Sequence, residues 1–139
     1  MRRTTFTIAG ALAAVATAVL PFAGAHAQSV PVEASTIGGS AVSLHVHPFL
    51  TEEELATLRL VASNDQALSL FVTSRTGHAA LAVSPEEGFV RDGAPVPSAV
   101  ALGDLPDAAA ARSAALAACD AARKAAAPCV VVLEVAPAP

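Results

Sequence analysis

The sequence predicts an α+β fold: a small, mainly antiparallel sheet of four or five strands, packed by two helices and closed by one disulfide. Three observations predict it. Val42, Leu44 and Val46 alternate with Ser43, His45 and His47, which is the period of a half-buried strand. Thr51 followed three residues later by Glu54 is a capping box, and it marks the start of a helix. An alanine-rich segment carrying Cys119 runs to Pro128, after which Cys129 opens the apolar run Val130–Val135, so a helix turns back onto a strand and is stapled to it.

Residues 1–27 read as a secretory signal rather than as part of the fold. Arg2 and Arg3 supply the charged start, Ile8–Leu20 is apolar, and Ala25-His26-Ala27 offers a small-x-small cleavage site before Gln28. The apolar stretch falls short of the roughly 20 residues that a membrane span requires. No cysteine stands near the cleavage site to carry a lipid anchor. The arginine pair leaves both the general secretory and the twin-arginine routes open, although Phe6 does not stand at the usual twin-arginine spacing. Gln28–Pro139 then forms one small domain in the periplasm or outside the cell.

Along that domain, Gln28–Ser40 is punctuated by proline and glycine, with a turn at Gly38-Gly39. The first strand follows and Pro48 closes it. The helix opening at Glu52 places Leu55, Leu58, Val61 and Ala62 on one face and Leu60 opposite. Asn64-Asp65 ends it, and Leu68–Thr73 reads as a second strand paired as a hairpin with a third over His78–Val83. Ser84-Pro85-Glu86-Glu87-Gly88 is a turn. In Phe89–Pro97 the pair Asp92-Gly93 could turn a hairpin, but Pro95 and Pro97 exclude a central strand, so the segment is expected as an exposed loop before a short edge strand near Ala99–Leu102. Asp104 is the expected cap of the last helix, with Pro106 in its first turn. In that helix Ala108, Ala115, Leu116, Cys119 and Ala122 share a stripe that Arg112 and Arg123 enter at its margin. The final strand puts Val131, Leu133 and Val135 on one face and Val130, Val132 and Glu134 on the other, apolar enough to be central.

Composition bounds the function. The formal net charge is −4, removal of Arg2 and Arg3 makes it more negative still, and Lys124 is the only lysine, so the clustered cations that phosphate binding needs are missing. No basic amphipathic segment suits a membrane surface once the signal is removed. The expected partner is therefore a periplasmic protein or a small ligand, and the residues imply no cofactor. A pair of cysteines in an exported small domain implies a Cys119–Cys129 disulfide. Closing so short a loop is worth about 3 kcal/mol in the chain-entropy picture.

The succession His78-Ala79-Ala80-Leu81-Ala82-Val83-Ser84, Ala115-Leu116-x-x-Cys119 and Cys129-Val130-Val131-Val132 resembles small exported bacterial domains of unknown function, in which a strand-turn-helix-strand unit is closed by a cysteine pair. The likeness covers roughly Gly77–Ala136 and implies a fold and a bridge, with no reaction. The long Pro-rich loop, and the lack of a third or fourth cysteine, depart from that pattern. The whole chain is also similar to short alphaproteobacterial-type exported proteins sometimes catalogued as 5-aminolevulic acid synthase. That label implies a pyridoxal-phosphate enzyme, but the chain is too short for one. Its Lys124 lies on an alanine-rich helix without a phosphate-binding glycine loop.

Three sets of residues carry chemistry. His45 and His47 project from one strand face at a spacing that can chelate zinc or copper, and His78 would complete a three-nitrogen site if its strand lies alongside. Solvated histidines on a polar strand face are the commoner arrangement. Phe89, Val90 and Val96 place apolar side chains on the Pro-rich loop and so mark an interaction surface. Glu52-Glu53-Glu54 reads as a solvated first turn suited to the helix dipole, and Glu86 and Glu87 as solvating turn residues. No G-x-S-x-G elbow, phosphate loop or nucleotide fingerprint occurs, and no catalytic residue is assigned. A non-enzymatic binding or interaction module is the leading reading, with a histidine-based metal protein or metal-dependent enzyme as the alternative.

Overall fold

The computed structural model describes residues 29–72 and 76–139; residues 1–28, where the signal is expected, and Thr73 to Arg75 lie outside the described residues. The chain forms β1 (Val32–Ile37), β2 (Ser40–His45), α1 (Glu52–Ser63), α2 (Asp65–Phe71), β3 (His78–Val83), β4 (Val90–Arg91), β5 (Ala94–Pro95), β6 (Val100–Leu105), α3 (Ala108–Ala122) and β7 (Val130–Pro137). Five strands make an antiparallel sheet in the order β1-β2-β7-β3-β6, and β4-β5 form a separate ribbon. The expected α+β fold is present, with three helices rather than two among the described residues.

Alternation sets the layers. Val42 and Leu44 of β2, Leu81 and Val83 of β3, and Leu133 and Val135 of β7 point to one face, where Leu58, Val61 and Ala62 of α1 and Leu68 of α2 cover them. Ala80 and Ala82 of β3 point to the other face and meet Ala111, Ala115 and Cys119 of α3. Small side chains on both surfaces let this helix approach the sheet closely, and Cys119 is bonded to Cys129 there. The run from Val130 onward is central in the sheet, as its apolar character requires, but its faces differ from simple alternation. A register shift places Leu133 opposite Leu81 but Val131 opposite Ala82, leaving Val132 as the extra residue of a bulge. Val131 thereby turns to the α3 side with Glu134, and Val132 packs with Leu133 on the α1 side.

The segment expected as a second strand is helical. Asn64 ends α1 and at once caps α2, its Oδ1 accepting from the Ala67 N–H at 2.9 Å. Its local cap won over the alternation of Leu68, Leu70 and Val72 because a helical period buries Leu68 while Leu70 is left 82% exposed. The hairpin expected between this segment and His78–Val83 is therefore absent, and β3 pairs with β7 and β6 instead. Replacing Asn64 with alanine should cost about 1 kcal/mol in urea unfolding, with an unchanged denaturant slope.

Two further corrections concern caps and turns. Asp107, not Asp104, caps α3 and accepts from the Ala110 N–H at 2.8 Å. Asp104 sits at the end of β6 with φ of 59°, where the strand bends away from its extended path. Asp92-Gly93 does turn a hairpin, both residues having positive φ as a two-residue turn needs, and β6 is an edge strand as expected.

Candidate functional site

α3 covers the sheet over β3, β6 and β7 and stops there, so the same face of β2 and β1 stays open, with Ala41, Ser43 and His45 on β2 and Val32, Ala34 and Thr36 opposite them on β1. Where the helix margin meets this open surface lies a cavity of about 180 Å³, lined among others by Ser43, His78, Ala108, Arg112, Glu134 and Ala136. Four of these six can hydrogen-bond through their side chains.

Glu134 is the centre of the group. It lies on β7 opposite Ser43 of β2 and Ala80 of β3. Its Oε2 is 2.6 Å from the His45 Nε2, and its Oε1 accepts from the Arg112 Nε. Burial works to raise the carboxyl, but the hydrogen bonds from Arg112 and His45 and the charge of Arg112 outweigh it and hold the group below the usual carboxylate range. Arg112 remains half-exposed, with its Nε committed to Glu134, and it lines the cavity from the margin of α3. The His78 Nδ1 is buried and has no hydrogen-bond partner, the kind of group that a ligand atom would satisfy.

The three histidines singled out by spacing take different places. His45 reaches the cleft through Glu134, and His78 lines it from β3. The His47 Nε2 instead meets the Val131 carbonyl at 2.9 Å, and its ring stacks at 5.3 Å from Phe49. Among the described residues no three His, Cys, Asp or Glu side chains form a group that could hold a metal ion.

Of the other acidic residues, Glu52 and Glu53 are exposed as expected, whereas Glu54 and Glu87 are structural. Glu54, expected to be solvated, is wholly buried: its Oε2 accepts from the Thr51 N–H at 2.9 Å, and its Oε1 accepts from the Phe89 and Val90 N–H groups at 2.7 and 3.0 Å and from Arg91. That carboxylate pins the start of the Pro-rich segment to α1. Phe89 lies 6.1 Å from Phe71, edge to face, Phe89, Val90 and Val96 are half-buried, and the exposed tip runs from Asp92 to Pro95. Glu87 receives the Lys124 N–H, and so docks the turn after β3 onto the end of α3.

Arg112 and Glu134 were not singled out as a site by sequence. The available signals were a lone carboxylate inside the run Cys129–Val135 and an arginine at the margin of an apolar helical stripe; what linked them was the strand order, which spacing does not reveal. No protein-family model matches the chain, and no curated protein or solved structure is significantly similar to it.

Proposed function

We propose that this is an exported, non-enzymatic binding module that works in an oxidising compartment outside the cytoplasm and holds a small polar molecule in the cleft between β2 and α3. The disulfide supports the compartment. The observation that carries the binding site is the set Ser43, His78, Arg112 and Glu134 gathered at one concave place, with the buried His78 Nδ1 unpaired. Glu134 acts there as a positioning group: its carboxylate is tied on both oxygens, and its lowered proton affinity makes it a poor proton carrier near neutral pH. Arg112 and Glu134 cancel each other's charge, so the favoured ligand is neutral or zwitterionic. The cavity admits about an amino acid's worth of atoms.

Amide chemical shifts of the protein recovered after export test this. Titration with glycine or acetamide should move the signals of Ser43, Ala108, Arg112 and Glu134, and Arg112→Ala should abolish that response, whereas Arg59→Ala on α1 should preserve it. Spectra unmoved by both probes would refute the assignment.

A further inference from the structure

The two edges of the sheet differ. At β6 the pairing with β3 slips between His78 and Ala80, Asp104 takes a positive φ, and α3 follows almost at once, so that edge offers no regular ladder. β1 is the opposite case: six residues with no proline, no lysine and no bulge. Natural edges are blunted by such devices, and β1 has none of them. Its one charge, Glu33, is neutralised by Arg59 of α1 at 2.6 Å. Gly38 and Gly39, both at positive φ, close a two-residue turn that fixes the β1-β2 register.

That register decides which backbone groups are free. The Val46 N–H donates to the Pro31 carbonyl at 2.8 Å, so Pro31 and Val46 form a hydrogen-bonded pair. Antiparallel ladders alternate, hence Glu33, Ser35 and Ile37 also bond inward to β2, and Val32, Ala34 and Thr36 turn their N–H and C=O groups outward. Among the described residues no strand lies on that outer side.

We propose that β1 pairs with β1 of a second copy of this chain, antiparallel and centred on Ala34, to give a continuous ten-stranded sheet. In this register Ala34 faces its own copy across the two-fold axis and Val32 faces Thr36 of the other chain, so all three outward residues of each strand are bonded. The opposed side chains suit one another. On the open face they are Val, Ala and Thr, and Val32, 52% exposed in the single chain, gains cover. On the α1 face Glu33 opposes Ser35 of the other chain, so no like charges meet. A neighbouring register centred on Ser35 would bond only Ala34 and Thr36. Because β6 is blunted, pairing closes at two copies instead of growing into a filament. The inference is independent of the cleft.

Sedimentation of the exported protein should give twice the chain mass, falling to the single mass on dilution. Ala34→Lys places two ammonium groups opposite each other at the axis and should give the single mass, with an unchanged circular dichroism spectrum because Ala34 is exposed. Mixing Ala34→Lys with Ala34→Glu should restore the double mass as a mixed pair. Thr36→Lys faces Val32 of the other chain and should weaken association less than Ala34→Lys. A single mass at every concentration, or a pair that Ala34→Lys leaves intact, would overturn the proposal.

Discussion

Replacing Glu54 with alanine should lower the unfolding free energy by about 3 kcal/mol, as expected when a buried carboxylate is removed from its partners. The change leaves the N–H groups of Thr51, Phe89 and Val90 without their acceptor, and the half-buried donors of Phe89 and Val90 carry a desolvation cost. It also releases Arg91, whose guanidinium lies against Gly88, a residue at φ of 78° in the left-handed region that favours glycine. Urea unfolding near neutral pH measures the loss, and hydrogen exchange should show the Phe89 and Val90 amides opening first. Glu54→Gln keeps the shape and should retain part of the stability, because an amide can accept from Phe89 and Val90 but must present donors elsewhere.

The same residue predicts an acid dependence. Burial raises the Glu54 carboxyl, and the N–H groups of Thr51, Phe89 and Val90 together with the Arg91 charge lower it further than burial raises it, so its folded value lies below its unfolded one. A depressed carboxyl contributes stability that is fully present above the unfolded value of about 4.3 and is lost as pH falls through the folded value. Unfolding midpoints measured from neutral to acid pH should therefore fall in the wild type more steeply than in Glu54→Gln. Parallel curves would contradict the role given to this carboxylate.

Why Glu54 escaped the sequence reading is instructive. The capping box located the helix start correctly and explained the glutamate's contact with Thr51, but local patterning could not say that the second oxygen reaches a segment 35 residues on. Elements fixed by neighbours in sequence were legible: the alternation of β2, the cap of α1, the turn after β3 and the cysteine staple; Phe89–Pro97, expected as an exposed loop, instead folds into the β4-β5 ribbon about Asp92-Gly93. The misreadings arose where two local signals competed. At Asn64 a residue that ends one helix also starts the next, and the alternation beyond it imitated a strand. At Val132 a bulge reversed the faces of an otherwise regular strand, which is how Val131 came to lie beside Glu134. The cleft is legible only through the order β2-β7-β3, since Ser43, His78 and Glu134 stand on three different strands and Arg112 on a helix.

Removing the Cys119–Cys129 bond should cost about 2 to 4 kcal/mol, a large share of the stability of a domain of this size. The buried face of α3 consists of Ala111, Ala115 and Cys119, and it meets Ala80 and Ala82 on the sheet. Alanine favours the helix but brings little apolar area to bury, so packing alone holds α3 weakly. The bond limits the unfolded chain and fixes the end of α3 against the start of β7. It does not act alone. Asp120 accepts from the Cys129 N–H at 3.0 Å and from the Arg123 Nε at 2.7 Å, so the loop keeps part of its shape when the sulfur link is lost. Cys119→Ala with Cys129→Ala avoids burying new hydroxyl groups and is the cleaner variant. Its melting temperature should fall by about 10 °C or more. The far-ultraviolet spectrum at low temperature should stay close to wild type, because β2, β7 and β3 are held from the α1 side by Leu44, Leu58, Leu81 and Leu133. Reductant should lower the wild-type melting temperature by a similar amount and leave the variant unchanged. A wild-type transition indifferent to reductant would show that packing, not the bond, secures α3.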